Sequence, residues 1–131
     1  MTAAPLILLV EDNPRNLKLT RDLLNHHGYR TLEATDAEHG LALARAHLPA
    51  LVLMDVQLPG MDGTQALGRL RADPATAGIC VAALTAFAMK DDRGRFLAAG
   101  FDGYLEKPLD VRAFPGQVAA LLTVREGAAP A

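Results

Sequence analysis

Tryptophan is absent, aromatic residues make up 5% of the chain, and cysteine occurs once. Each scarcity removes a class of function. Two Tyr and four Phe, scattered singly, do not build the stacking platforms that single-stranded nucleic acids need. A formal net charge of −2 leaves no basic footprint for a phosphate backbone, so no nucleic-acid partner is expected. The lone Cys80 rules out an internal disulfide and fits a reducing compartment. It heads an apolar run and reads as a buried structural thiol. No apolar run is long enough to span a membrane, and the N-terminal one lacks a basic leader and is interrupted by Glu11-Asp12. A soluble, cytoplasmic protein without membrane insertion is expected. Nor does a glycine-rich phosphate loop follow the first apolar run, which argues against the usual nucleotide and flavin sites.

The 131 residues that remain to be explained fit one domain large enough to bury an ordinary core. Five apolar runs read as strands: Leu6–Val10, Tyr29–Glu33, Leu51–Met54, Cys80–Leu84 and Gly103–Leu105. They alternate with helical segments, the pattern of βαβ units and a parallel sheet with helices on both faces. Asn13-Pro14 supplies an N-cap and a proline at the first helical position, and Gly28 is placed to end that helix. Thr35 with Glu38 predicts a capping box for the second helix. The third follows the Pro59–Gly63 loop to about Ala72, and the fourth covers roughly Ala88 to Ala99, stopped by Gly100. Asp110 can cap a fifth, but Pro115-Gly116 falls in its first turns, so that helix either starts near Phe114 or is kinked. The domain is expected over residues 1–125, with a flexible tail at 126–131. Met1 and that short tail suit a complete chain; a piece of a longer protein is the alternative.

Acidic residues fall where the strands end. Glu11 and Asp12 close the first run and Asp55 the third; Thr85 closes the fourth, and Lys107-Pro108 follows the fifth. In an open α/β sheet the carboxyl ends of the strands line the crevice that binds ligands. Two carboxylates about 5 Å apart repel by roughly 3 kcal/mol at an effective dielectric near 20. Three acids in one crevice therefore bind a divalent cation or raise a pKa. His26, His27, His39 and His47 share no ligand spacing and read as surface residues, while Leu17, Thr20, Leu23 and Leu24 read as core positions. Asp62-Gly63 reads as turn chemistry rather than a ligand.

Taken together, Glu11-Asp12, Asp55 with the Leu58-Pro59-Gly60-Met61-Asp62-Gly63 loop, Thr85-Ala86 and Lys107-Pro108 resemble the receiver domain of two-component response regulators. Segments such as Val10-Glu11-Asp12-Asn13 and Asp55-Val56-Gln57-Leu58-Pro59 look most like the stand-alone DivK type. The resemblance covers essentially the whole chain. It implies a flavodoxin-like (βα)5 fold with strand order 2-1-3-4-5. It further implies that Asp55 accepts a phosphoryl group, and that Glu11, Asp12, Asp55 and the backbone carbonyl of Gln57 hold Mg2+. Lys107 and Thr85 would contact phosphoryl oxygens, and Thr85 and Tyr104 would switch. A histidine kinase or histidine phosphotransfer protein would be the donor, and a protein effector would read the surface of the fourth helix, fifth strand and fifth helix. A monomer or weak dimer is expected. The family also implies a cis peptide before Pro108, and Gln57 and Phe87 beside the site would tune the lifetime of the phosphorylated state.

Two other classes compete. A small Mg2+-dependent aspartyl phosphatase of the haloacid dehalogenase type carries a second aspartate two residues after the nucleophile. Gln57 stands there and cannot serve as acid or base at neutral pH, so no external substrate is expected. The other is a pseudo-receiver, a binding module that never sees phosphate; all the acceptor-site residues are present here, so nothing in the sequence favours it.

Overall fold

The computed structural model describes residues 4–58, 60–85, 92–107 and 109–124. The expectations attached to Pro108, to Phe87, to the start of the fourth helix at Ala88 and to the tail at 126–131 lie outside them. Ten elements alternate: β1 (Leu6–Val10), α1 (Pro14–His26), β2 (Arg30–Ala34), α2 (Ala37–His47), β3 (Leu51–Asp55), α3 (Gly63–Ala72), β4 (Cys80–Thr85), α4 (Asp92–Ala99), β5 (Gly103–Glu106) and α5 (Phe114–Val124). The strands form one parallel sheet in the order β2-β1-β3-β4-β5. This is the architecture that the alternating runs and the family resemblance imply.

Period-two alternation assigns the two faces of the sheet. Leu8, Val10, Val52, Met54, Val81 and Ala83 meet residues of α2, α3 and α4. Ile7, Leu9, Leu51, Leu53, Cys80, Ala82, Leu84 and Leu105 meet Leu24 of α1 and Phe114, Val118 and Leu121 of α5. Helices thus cover both faces, and β1, β3 and β4 are buried almost end to end. Cys80 is buried, its thiol donating to the Leu121 carbonyl at 3.2 Å. The four histidines are exposed.

Local signals place most helix ends. The Asn13 side chain accepts from the Arg15 and Asn16 amides with Pro14 at the first helical position, and Gly28 follows α1 at φ +88°. α2 departs from expectation. Its cap is Asp36 rather than Thr35, because the Asp36 carboxylate reaches the His39 amide at 2.8 Å, leaving Glu38 to face the helix dipole. α5 takes the late start. Asp110 accepts from the Arg112 and Ala113 amides, a turn spans 111–113, and the helix begins at Phe114 with Pro115 in its second place, where the missing N–H leaves no intrahelical bond unmade. Strands β2 to β5 run one residue past their predicted ends, because ladder pairing continues into Ala34, Asp55, Thr85 and Glu106.

At the amino-terminal edge of the sheet Arg71 acts as a clamp. Its guanidinium donates to the carbonyls of Ala77, Ile79 and Gly100 and to Asp102 Oδ2, which also accepts from the Val81 amide at 2.9 Å. The end of α3, the start of β4 and the exit of α4 are held by one side chain. Arg71→Met keeps the stem and removes the charged donor from all four acceptors, so a loss of about 3 kcal/mol is expected; the midpoint of urea unfolding measures it. Leu48 caps α2 at φ 48°, the one non-glycine residue in the left-handed region among those described, and its side chain is exposed. Leu48→Gly should therefore raise stability, by about 0.5–1 kcal/mol in the same assay.

Candidate phosphoacceptor site

The chain leaves β1 toward β2 on one side and β3 on the other, so the crevice between the carboxyl ends of β1 and β3 is the topological switch point. Glu11 and Asp12 leave β1 and Asp55 ends β3, so both sides of that crevice carry acid. The Glu11 amide donates to Ala34 O at 3.0 Å and the Val56 amide to Leu84 O at 3.1 Å, which continues the sheet into the site. Carboxylate oxygens of Glu11, Asp12 and Asp55 lie within 4.8 Å of one another. Glu11 and Asp55 are buried and Asp12 sits exposed at the mouth.

Lys107 follows β5, where its amide donates to Thr85 O at 2.8 Å. Its ammonium lies 2.7 Å from Asp55 Oδ2 and 2.7 Å from Glu11 Oε1. The Asp55 contact is a hydrogen bond; the Glu11 contact is an ion pair by distance without hydrogen-bond alignment, and no donor among the described residues reaches Glu11 Oε2. The second Asp55 oxygen accepts from the Gln57 amide at 2.9 Å. A buried carboxylate oxygen without a donor is the observation a bound cation would satisfy. Three carboxylates against one ammonium leave a formal charge of −2, which a divalent ion balances. The set is all oxygen, as Mg2+ prefers, and its spread is close to the roughly 4.2 Å that two Mg–O bonds span. The residues fit the metal.

Burial first, and then the neighbouring Asp55 carboxylate, raise the Glu11 carboxyl to about 7 against the pull of Lys107. Asp55 is also pushed upward by burial, but the neighbouring Glu11 carboxyl, Lys107 and the Gln57 amide outweigh this and hold it below the ordinary carboxylate range. Burial presses Lys107 downward, and its contacts with Asp55 and Glu11 more than reverse that.

Thr85 is buried at the end of β4 and lines an open cleft of about 290 Å³ with Val56, Gln57, Thr64, Phe96 and Ala99. Tyr104 is half-buried on β5 at the level of Ala83, two residues short of Thr85, and its ring lies 6.3 Å from that of Phe96. The structure thus brings Glu11, Asp12, Asp55 and Lys107 together, with Gln57 against Asp55 and Thr85 on the next strand. Phe96, which joins the Tyr104 ring to the cleft, escaped the sequence reading, since an aromatic residue in a helix signals packing and nothing more. Asp62 is helix chemistry rather than a loop turn. Its carboxylate accepts from the Gln65 amide and the Gln65 side chain accepts from the Asp62 amide, a capping box legible in Asp62-Gly63-Thr64-Gln65.

A parallel five-stranded sheet with this acidic crevice and its lysine defines a class. The family model for the response regulator receiver domain matches residues 7–119, and the chain belongs to that family. Among individual proteins it is similar to the polar-differentiation response regulator DivK of Brucella anthropi, with 43% identity over 108 residues, 82% of this chain and 88% of that protein. The same identity and coverage hold for DivK of Brucella ovis. A response regulator described as putative, from Chloroflexus aurantiacus, superposes with a TM-score of 0.86 at 28% identity, covering 92% of this chain and 98% of its own. The receiver domain of a sensor histidine kinase from Pseudomonas aeruginosa PAO1, solved with magnesium coordinated in its active-site cleft, gives a TM-score of 0.81 at 34% identity over 95% and 99% of the two chains. No described helix is long and apolar enough to cross a membrane.

The raised Glu11 pKa has a thermodynamic consequence. The folded state holds a proton there up to about pH 7, whereas the unfolded carboxyl releases it near 4.5, so stability falls as pH rises between those values. Asp55 acts in the opposite sense and outside this window. Its stabilisation is present above its unfolded value of 3.8 and is lost as pH falls through the lower folded one. In chelator, melting temperatures from pH 5 to 7.5 should decline in the wild type relative to Glu11→Gln, and saturating Mg2+, which replaces the proton, should remove that decline. Parallel profiles would contradict the assignment.

Proposed function

We propose that the chain is a phosphorylation-activated switch that takes a phosphoryl group onto Asp55 from a histidine kinase or histidine phosphotransfer protein, with Mg2+ as cofactor. The observation that carries this reading is the Lys107 ammonium lying 2.7 Å from both Glu11 and Asp55 at the switch point of the sheet. Family membership supports it. Mg2+ held by Glu11, Asp12, Asp55 and the Gln57 carbonyl would offset the charge of the transferring phosphoryl oxygens.

The residues divide the work. Asp55, low in pKa, is an ionised nucleophile. Its carboxylate oxygen attacks the phosphorus of a phosphohistidine, the P–N bond breaks, and the electron pair leaves with the imidazole. Lys107 trades its bond to Asp55 for one to a phosphoryl oxygen, so the positive charge in the site is conserved. The Thr85 hydroxyl donates to another phosphoryl oxygen and shifts toward the acceptor. Tyr104, whose neighbour Phe96 lines the Thr85 cleft, then turns inward and changes the α4, β5 and α5 surface that a protein effector reads. The domain is read as residues 1–125, working in the cytoplasm as a monomer or weak dimer. Hydrolysis of its own acyl phosphate is the only turnover this reading allows.

Intact mass after incubation with acetyl phosphate tests it. Wild type should gain one phosphoryl group with Mg2+ and none in chelator, and Asp55→Asn should gain none in either. Lys107→Ala should be labelled at least about tenfold more slowly, since it removes the charge that meets the phosphoryl oxygens. Labelling that persists in Asp55→Asn would move the acceptor elsewhere.

A further inference from the structure

Gly63 is the first residue of α3, and three features press it onto the acceptor. Its amide donates to the Val56 carbonyl at 3.2 Å, closing the loop that starts at Asp55. The Asp62–Gln65 capping box fixes where the helix begins. A methyl group placed at Gly63 would stand 2.6 Å from the Asp55 carbonyl oxygen, 2.8 Å from Val56 Cα and 3.2 Å from the Asp55 carbonyl carbon. The backbone there is not in the left-handed region, so the requirement is for space.

The nature of the neighbours separates Gly63 from the other tightly packed glycines. At Gly40 the added methyl would meet Val10 Cγ2 at 2.8 Å, and at Gly103 it would meet Leu121 Cδ2 at 2.7 Å, both side-chain atoms. At Gly63 the three nearest atoms are all backbone, and none can rotate away. To admit a methyl group, α3 and the Asp55–Val56 backbone must part by at least 0.4 Å to reach the 3.0 Å below which real Cβ contacts essentially do not occur. That backbone is fixed on its other side by the Val56 amide bonded to Leu84 O. One residue further on, the Gln57 amide aims the Asp55 carboxylate at 2.9 Å.

We propose that Gly63 is a positioning residue for the site: by letting α3 seat directly on the Asp55–Val56 backbone, it sets the joint placement of the Asp55 carboxylate and the Gln57 carbonyl. This rests on the reading of those oxygens as Mg2+ ligands. Residues that hold metal ligands in place are worth about 10–100-fold in affinity. Octahedral Mg2+ tolerates misplaced oxygens poorly.

Mg2+ titration calorimetry on wild type, Gly63→Ala and Gly103→Ala, with circular dichroism to verify folding, tests it. Gly63→Ala should bind Mg2+ about 10–100-fold more weakly, while Gly103→Ala, equally crowded but at the far end of β5, should stay within about twofold of wild type. Gly63→Ala within twofold of wild type, or an equal loss in Gly103→Ala, would overturn the inference. If Gly63→Ala does not fold, Asp62→Ala decides, because it loosens the seat of α3 without adding bulk. Weakening of about threefold or more supports the role, by the same second-shell logic, and a smaller change overturns it. A wild type that binds no Mg2+ and takes no phosphoryl group would overturn the functional reading and this inference together; a wild type that binds, matched by its variants, overturns the inference alone.

Discussion

The ammonium of Lys107, held between the buried carboxylates of Glu11 and Asp55, is the interaction around which the carboxyl edge of the sheet is arranged. Removing such charges from water costs several kcal/mol per ion, and mutual attraction repays this only when geometry and further hydrogen bonds are good. Here they are only partly good. Asp55 is served on both oxygens, by Lys107 and by the Gln57 amide. Glu11 has an ion pair without alignment and an oxygen with no donor among the described residues, and its carboxyl keeps a proton to about pH 7. The site without metal is therefore an incompletely satisfied charge cluster, which is the condition under which a cation, a proton and a phosphoryl group can each change its energy substantially.

An unsatisfied cluster persists only in a frame that cannot relax around it. β1 and β3 carry the acids and are buried along their length between two helical layers, and interiors packed to crystal density transmit strain rather than absorb it. The frame is tied at both edges by different means. At the carboxyl edge the ladder runs on past the strands through Glu11–Ala34, Val56–Leu84 and Lys107–Thr85, while α3 sits on the Asp55–Val56 backbone through Gly63. At the amino edge Arg71 and Asp102 lock the end of α3 to the starts of β4 and β5.

Features with a one-dimensional signature were legible in the sequence. Apolar runs gave the strands, Asn13-Pro14 and Gly28 bounded α1, and acids at strand ends named the crevice before any fold was known. The misses share a cause. Choosing Asp36 over Thr35 as the cap of α2 depends on which side chain meets the His39 amide, a matter of one residue's dihedral angles. The strand ends depend on a partner's ladder and not on the run itself. Arg71 reads as a surface charge on a helix, and only the return of the chain at residues 77–79 and 100–102 supplies its acceptors. Gly63 was visible as a turn residue, but the reason for glycine lies in the backbone it abuts. The resemblance to receiver domains supplied the roles proposed for Thr85, Lys107 and Tyr104, which composition and spacing alone would not have separated from packing.

The two edges together constrain how a change at Asp55 can leave the site. β4 starts at the Arg71–Asp102 clamp, where the Val81 amide is bound, and ends at Thr85, one residue past the ladder partner of Asp55. α4 runs the opposite way, and its exit at Gly100 is held by the same arginine. With β4 buried on every residue and fixed at its start, a displacement of Thr85 is not absorbed by sliding the strand, since that would break ladder bonds to β3 and β5 together. What can yield is the side of the Thr85 cleft that packing does not fill, where Phe96 of α4 meets the ring of Tyr104. On the proposed reading, phosphorylation is then expressed as a rearrangement of α4 against β5 about a fixed far end. The clamp and Asp55 lie at opposite edges of the sheet, so the clamp can keep that far end still without contributing to the proposed chemistry.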